Sequence, residues 1–214
     1  MKEKVEQTTE QNTSSPRKEP QSFRQKAGEF FFKNRGYTPV PFVVIVVFLS
    51  QPTWRTFWIG LSLMVLGEGI RIWAMSYMEG TTRSRRIQAN QLITSGPYRF
   101  IRNPLYLGNL LLYAGVAIMT NIWVPYFLVL SLLYFIIQYI LIIEAEEKVL
   151  HELFGAAFEQ YCATIPRFFP NFKSYPQNKD IEPRISKAFK SEKSSLLSFS
   201  LILLYFVIRL VYSI

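Results

Sequence analysis

The sequence predicts an all-α, polytopic membrane protein with about five transmembrane helices and a polar cofactor pocket at the cytoplasmic surface. Half of its 214 residues are hydrophobic and 16% are aromatic, and they are grouped into long blocks. Blocks that approach the roughly 20 residues of a spanning helix are typical of membrane proteins. A backbone inside the bilayer must satisfy its hydrogen bonds internally, which a helix does. The spans are expected near residues 37–51, 54–77, 105–119, 123–143 and 196–214.

Residues 1–27 are predicted to be a disordered cytoplasmic tail, and residues 28–214 to form one membrane domain. The tail is rich in Glu, Gln, Thr, Ser and Lys and has almost no apolar residues, so burial cannot offset its ordering entropy. It also lacks the apolar core of a signal peptide. The first block, residues 37–51, is short for a complete crossing.

The second block contains a glutamate and an arginine, Glu68 and Arg71, three positions apart on one helical face. One interpretation is a local ion pair in which Arg71 extends to the lipid headgroups. The other is a functional carboxylate inside the membrane. The sequence leaves both interpretations open.

The third and fourth blocks are predicted to form a hairpin around the short turn 120–122. The loop 79–103 contains five arginines and this turn contains none, which places the loop in the cytoplasm. Five spans then put the N-terminus and the polar segment 144–195 on the cytoplasmic side. The same bias explains the net charge of +9, for which anionic lipid headgroups are a better partner than nucleic acid.

Cysteine and histidine occur once each, as Cys162 and His151, so neither a disulfide framework nor a usual metal site is expected. The sequence also lacks the glycine-rich, Walker, zinc-protease and Ser-His-Asp motifs. Dinucleotide binding of the Rossmann type, phosphoryl transfer and metal-dependent hydrolysis therefore lose support.

A polar segment, residues 96–108, precedes the third block. Asn103 is a suitable N-cap and Pro104 a suitable first helical residue, so a helix is expected to begin there and to favour an anion. The alternative is that Arg99 and Arg102 are only topology signals.

A second polar cluster, residues 144–147, lies where the fourth block returns to the same surface. Pairing at i,i+4 accounts for Glu144 with Lys148 and Glu147 with His151, which leaves Glu146 to face a cavity or to serve a structural role. A helix start, tyrosines and a glutamate suit a zwitterionic, adenosine-containing ligand.

Five segments together resemble the isoprenylcysteine carboxyl methyltransferase family and its phospholipid methyltransferase relatives. The resemblance covers roughly residues 90–170, with order and spacing intact. The segments are LITSGPY (92–98), RNPLYLG (102–108), EEKVL (146–150), FG (154–155) and Tyr161.

This resemblance implies an integral membrane methyltransferase that binds S-adenosylmethionine from the cytosol and takes a lipid or other lipophilic acceptor from the bilayer. The implied cofactor contacts are Asn90, Gln91, Leu92, Ile93, Tyr98, Asn103, Pro104, Leu105, Tyr106 and Glu146. Candidate acceptor or pocket residues are Arg102, Glu147 and Arg167. No catalytic residue is assigned.

The chain departs from the family pattern at three positions. Asn90 and Asn103 stand where relatives typically have histidine, and asparagine does not titrate near neutral pH. Ile142 stands where prenylcysteine enzymes have an arginine associated with the acceptor. We therefore expect an acceptor other than a prenylcysteine carboxylate.

Two alternatives remain at the level of sequence. Membrane reductases of the steroid-reductase type bind NADPH near a similar segment, but they usually have a glutamate where this chain has Asn109. The chain could also be a catalytically inactive membrane scaffold.

Overall fold

The computed structural model describes residues 22–78, 91–171, 175–176 and 182–212, and all regular structure in these ranges is helical. This confirms the predicted all-α class. The α-helices are α1 (Phe23–Asn34), α2 (Val40–Leu49), α3 (Trp54–Ser76), α4 (Pro104–Thr120), α5 (Tyr126–Phe154), α6 (Ala156–Thr164) and α7 (Ile185–Tyr212), and a short 3-10 helix, Gly96–Arg99, precedes α4.

Three of the five predicted spans are supported, because α3, α5 and α7 are long and apolar enough to cross a membrane. Helix α2 has 10 residues and α4 has 17. At about 1.5 Å per residue these helices extend about 15 Å and about 26 Å. Both lengths are below the roughly 30 Å of the hydrocarbon layer. The first block yields only a short helix because the chain turns before it, up to Pro39.

Several helices extend beyond the apolar blocks that predicted them. Helix α5 continues through the glutamate cluster to Phe154, and α7 begins at Ile185 rather than near residue 196. Charged residues such as Glu and Lys are good helix formers, so a helix need not end where its apolar block ends. Helix α1 begins at Phe23, within the range predicted as a tail, and a capping box between Ser22 and Gln25 stabilises its start.

Helices α3 and α4 pack closely through two pairs of glycines. A Cβ atom on Gly60 would lie 2.4 Å from the Gly115 carbonyl oxygen, and one on Gly67 would lie 2.6 Å from that of Gly108. Such distances leave no room for a side chain, as is common where membrane helices approach closely. The pairs hold the N-terminal half of α4 beside the C-terminal half of α3.

Two apolar clusters connect α1, α2, α5 and α7 to this pair. Phe206 of α7 is fully buried with Met64 of α3 and Met119 of α4. On α5, Phe135 and Ile142 are fully buried in a cluster that also contacts α1 and α4. The polar ends of α4 and α5 are thereby held together at one side of the bundle.

Residues that follow α6 pack against the entry to α4. The Arg102 amide donates to the Pro166 carbonyl at 3.0 Å, and the Asn171 amide donates to the Phe100 carbonyl at 2.7 Å. These two hydrogen bonds bring Arg167 next to the start of α4.

Candidate functional site

A cavity of about 740 Å³ lies between the N-terminal end of α4, the glutamate cluster of α5 and the first half of α7. The predicted cofactor residues that line it are Gln91, Leu92, Ile93, Tyr98, Asn103, Pro104, Leu105, Tyr106 and Glu146, and the candidate pocket residues Arg102 and Glu147 line it too. Asn90 lies outside the described residues. The two polar clusters that are 40 residues apart in sequence therefore meet in one cavity.

Helix α4 begins at Pro104, as predicted, but the prediction that Asn103 caps it is wrong. Among the described residues, no side chain forms a capping hydrogen bond at this helix start. The side-chain amide of Asn103 instead donates a hydrogen bond to the backbone carbonyl of Arg167 at 3.3 Å. The side chain is thus used to hold the segment after α6, and the first turn of α4 presents its backbone N–H groups without a side-chain cap.

The hydrogen bond between Tyr106 and Glu146 is the central contact of the cavity. The Tyr106 hydroxyl donates to Oε1 of Glu146 at 2.8 Å. The Tyr106 ring also packs against Tyr139, with 4.7 Å between ring centroids. Glu146 therefore faces the cavity, as one of the two sequence interpretations expected, and its orientation is set by an aromatic pair.

Neighbouring glutamates have partners other than the predicted i,i+4 pairs. Glu144 accepts a hydrogen bond from Arg24 of α1 at 2.9 Å, and His151 is 2.7 Å from Glu159 of α6. These contacts are between helices, because the turn at Gly155 and the packing of α1 on α5 bring other partners closer. Glu144 and His151 therefore form ion pairs with Arg24 and Glu159, and not the i,i+4 pairs that the sequence suggested.

Glu147 lies between the two arginines that were candidates for acceptor binding. Arg102 Nη1 is 3.3 Å from Glu147 Oε1, and Arg167 Nε donates to the same oxygen at 3.3 Å. Arg167 does not line the cavity. The three side chains form an ion cluster that connects α5 to both segments flanking the site, so their first role is to hold the cavity wall together.

Two tyrosines, the half-buried Tyr98 and the buried Tyr161, close another side of the cavity. The Tyr161 hydroxyl donates to the Tyr98 carbonyl at 2.7 Å. Burial, and to a smaller extent the charge of Glu146, raises the pKa of Tyr98, and burial raises the pKa of Tyr161. Both phenols therefore keep their protons at neutral pH and can donate hydrogen bonds.

The cavity also contains residues that the sequence analysis did not assign to a site. Arg71 of α3 has its Nε 3.5 Å from Oε2 of Glu68, so the local ion pair suggested by the sequence forms, but Arg71 is only 8% exposed and does not extend to the lipid headgroups. Asn109 of α4 and Glu192 of α7 line the cavity with it. Arg71 was visible as a charged residue inside an apolar block, but no local signal connects it to Glu192.

Ile142, the position that differs from prenylcysteine enzymes, is fully buried in the cluster with Phe135 and does not line the cavity. Its side chain contributes to the packing of this cluster. The absence of an arginine there removes one cation, whereas Arg35, Arg71 and Arg102 line the cavity.

Comparison with known proteins shows a match between residues 55–157 and the phospholipid methyltransferase family. The chain is similar to the cobalt-zinc-cadmium resistance protein CzcN of Cupriavidus metallidurans, with 32% identity over 144 residues, which cover 64% of this chain and 62% of that protein. It is also similar to the nickel-cobalt-cadmium resistance protein NccN of Alcaligenes xylosoxydans xylosoxydans, with 28% identity over 64% of this chain and 63% of that protein.

The match to these relatives thus spans slightly more than three fifths of their length. No solved structure matches the chain significantly. The matched region 55–157 contains all but the first residue of α3, the whole of α4 and α5, and every described cofactor candidate from Gln91 to Glu146. It confirms the resemblance that the motifs indicated, because residues 55–157 match the phospholipid methyltransferase family.

Proposed function

We propose that this protein is an integral membrane methyltransferase that depends on S-adenosylmethionine and acts on a lipophilic acceptor. The observation that supports this most directly is the single cavity in which the start of α4, Tyr98 and the Tyr106–Glu146 pair meet. The family match supports methyl transfer as the class of reaction.

The residues present fit the cofactor. A cavity of about 740 Å³ is within the range of small-molecule sites, roughly 300–1,000 Å³. The uncapped first turn of α4 suits a carboxylate, and Glu146 can accept hydrogen bonds from ribose hydroxyls. Leu92 and Ile93 offer apolar contacts to a base. When bound, S-adenosylmethionine supplies a methyl group on a positively charged sulfur.

Because the bound cofactor supplies an activated methyl group, the protein itself needs to contribute little further chemistry. It must hold a nucleophilic atom of the acceptor in line and exclude water, and an acceptor that loses its proton before it binds needs no base from the protein. This suits a chain in which asparagines replace the family histidines, because tight positioning needs no titrating imidazole.

The wall of the cavity favours a lipophilic acceptor. Val40 and Val43 of α2, Met64 of α3 and Ile202 of α7 line it, and each of these helices is predominantly apolar. An alkyl chain packed against such a wall gains roughly 0.8 kcal/mol per buried methylene group. A membrane lipid or a lipophilic small molecule therefore suits this wall.

The names of the two relatives refer to resistance against divalent metals. In the described part of this chain, no group of three or more His, Cys, Asp or Glu residues is arranged to hold a metal ion. Our proposal for this chain therefore rests on methyl transfer rather than on metal binding.

Calorimetry with detergent-purified protein tests the proposal. We expect saturable binding of S-adenosylmethionine and none of NADPH. Binding of NADPH instead would favour a membrane reductase, and binding of neither would favour a catalytically inactive scaffold. Incubation of the protein with labelled S-adenosylmethionine and a membrane lipid extract should then transfer label to the lipid fraction.

A further inference from the structure

We infer that the segment before the family match completes the cofactor site, and that Arg35 in this segment is the cation that binds the carboxylate of S-adenosylmethionine. The inference rests on the proposed methyl transfer, because it assigns a residue to the cofactor of that reaction. The family match begins at residue 55, so α1 and the turn that follows it lie outside the match. The motifs of the sequence assign no cofactor residue before Asn90.

The end of α1 and the turn after it form part of the wall of the cavity that contains the Tyr106–Glu146 pair. The lining residues of this segment are Phe32, Arg35, Gly36 and Pro39. The positive charge of Arg35 acts on both Tyr106 and Glu146. Arg35 therefore lies at the proposed cofactor end of the cavity, near the first turn of α4.

Contacts between α1 and α5 fix the backbone on both sides of Arg35. A Cβ atom on Gly28 of α1 would lie 2.4 Å from the Leu141 carbonyl oxygen, so the two helices are in close contact. Three residues after Arg35, the hydroxyl of Thr38 accepts a hydrogen bond from the Gln138 side chain of α5 at 2.8 Å. The end of α1 is thus held against the helix that carries the glutamate cluster.

The guanidinium of Arg35 is supported from one side by an aromatic ring. It lies over the Phe32 ring, 4.7 Å from the ring centroid. Phe32 in turn packs against the buried cluster that contains Phe135 and Tyr139. Stacking uses the face of a guanidinium and leaves the N–H groups at its edge available. These N–H groups match the two oxygens of a carboxylate, which they can bind with two parallel hydrogen bonds.

Three arginines are the cationic side chains among the described residues that line the cavity. Arg71 is engaged by Glu192 of α7, and Arg102 is 3.3 Å from Glu147. Arg35 is exposed, and in the described part of the chain no carboxylate oxygen lies within 4 Å of its side-chain nitrogens. Arg35 can therefore bind an anionic group of a ligand without first losing an ion-pair partner.

The chemistry of the cofactor suits this arrangement. S-adenosylmethionine carries one carboxylate, on its amino-acid part, and two hydroxyls on its ribose. Where Glu146 accepts hydrogen bonds from the ribose, a second carboxylate nearby is repelled unless a cation accompanies it. Arg35 supplies that cation, and the first turn of α4, which has no side-chain cap, adds backbone N–H groups.

Decarboxylated S-adenosylmethionine is a matched probe, because it keeps the adenosine, the sulfonium and the amine and lacks only the carboxylate. We expect calorimetry on the detergent-purified full-length protein to show S-adenosylmethionine binding about fivefold more tightly than this probe, as an ion pair with an exposed arginine implies. Arg35→Gln should reduce this affinity ratio by about threefold or more, without weakening the binding of the probe. Arg35→Lys should retain part of the ratio, because it keeps the charge and loses the planar fork.

Lys33→Gln is the matched control. Lys33 is an exposed cation two residues earlier on α1, and it does not line the cavity. This variant should keep the wild-type ratio, although it loses the same charge as Arg35→Gln. The comparison therefore separates a direct contact with the carboxylate from a general loss of positive charge.

Three results would overturn the inference alone, with S-adenosylmethionine still bound. They are equal affinity of the wild type for both ligands, an Arg35→Gln variant with the wild-type ratio, and an Arg35→Gln variant that weakens both ligands equally. The last result would mean that Arg35 only balances the charge of Glu146. A wild-type protein that binds neither ligand would instead overturn the proposed methyl transfer, and the inference with it.

Discussion

At the residue scale, the pair formed by Tyr106 and Glu146 links two segments that are distant in sequence. The bond of 2.8 Å orients the carboxylate of Glu146, a residue that lines the cavity. A carboxylate oriented in this way can accept hydrogen bonds from a ligand without reorganising. The affinity for the cofactor should therefore depend on both side chains.

We predict that Glu146→Ala weakens S-adenosylmethionine binding by tenfold or more. A hydrogen bond to a charged group contributes about 1.5–3 kcal/mol, which corresponds to at least about tenfold in affinity. Tyr106→Phe should weaken binding less, because the carboxylate remains. Calorimetry measures both, and Glu152→Ala, an exposed position on the same helix, should bind like the wild type. Unchanged binding by Glu146→Ala would remove this residue from the site.

The phenols of Tyr98 and Tyr161 predict how the stability of the folded protein depends on pH. Tyrosine ordinarily loses its proton near pH 10, and burial raises the pKa of Tyr98 and Tyr161 in the folded state. The folded protein therefore keeps protons that the unfolded chain loses above pH 10, so the free energy of unfolding should fall as pH rises beyond that value. Each group contributes up to about 1.4 kcal/mol per pH unit.

Thermal unfolding between pH 9 and pH 11 measures this effect. Tyr161→Phe should reduce the decline, even though it also loses the hydrogen bond to the Tyr98 carbonyl. Tyr37→Phe, at a position that is 73% exposed, should keep the wild-type decline. A Tyr161→Phe protein with the same pH dependence as the wild type would contradict the prediction.

At the scale of elements, the glycine contacts between α3 and α4 determine where the start of α4 lies. The Gly67 and Gly108 backbones approach so closely that an added Cβ on Gly67 would meet the Gly108 oxygen at 2.6 Å. Arg71 follows one turn later on α3 and reaches Asn109 on α4. The packing of these two helices and the geometry of the polar cluster are therefore coupled.

We predict that Gly67→Ala destabilises the protein by about 1–3 kcal/mol, the usual cost of overpacking. Gly69→Ala is a matched control on the same helix, because nothing lies within 4 Å of an added Cβ there. The control should be neutral or stabilise by about 0.5–1 kcal/mol through helix propensity. Thermal unfolding in detergent distinguishes the two variants, and equal melting temperatures would show that α3 and α4 can separate without loss.

At the scale of the whole molecule, the arginine bias and the packing of the helices make a joint prediction about sidedness. Gln51, in the loop before α3, donates through its backbone to the Thr120 carbonyl at the end of α4 at 2.8 Å. These two positions therefore share one end of the bundle. The glutamate cluster and α6 lie at the other end, which we propose to be cytoplasmic together with the N-terminus.

In a Cys162→Ser background, we predict that Gln51→Cys and Gln160→Cys are labelled from opposite sides of the membrane by an impermeant thiol reagent. Both side chains are exposed. Gln160→Cys should react only from the cytoplasmic side, in inverted vesicles. Labelling of both positions from one side would show that the bundle does not cross the membrane between them.

The sequence by itself determined the helical class, because hydrophobic blocks and helix-start signals act locally. The start of α4 at Pro104 and the orientation of Glu146 toward a cavity could be anticipated from residue types and spacing. The bounds of α2, α5 and α7 could not be anticipated from the sequence. The length of a helix depends on turns and on charged residues that continue the helix, as well as on apolar content.

Only the tertiary structure decided which distant side chains meet. Arg71 and Glu192 are separated by 121 positions, and nothing in either local sequence predicts their contact. Asn103 is a residue type that suits an N-cap, but the Arg167 carbonyl after α6 lies close enough to accept a hydrogen bond from its side-chain amide. Burial excludes water as a partner, so each buried charge must find whichever group the packed helices bring near it, and that group is set by the fold as a whole.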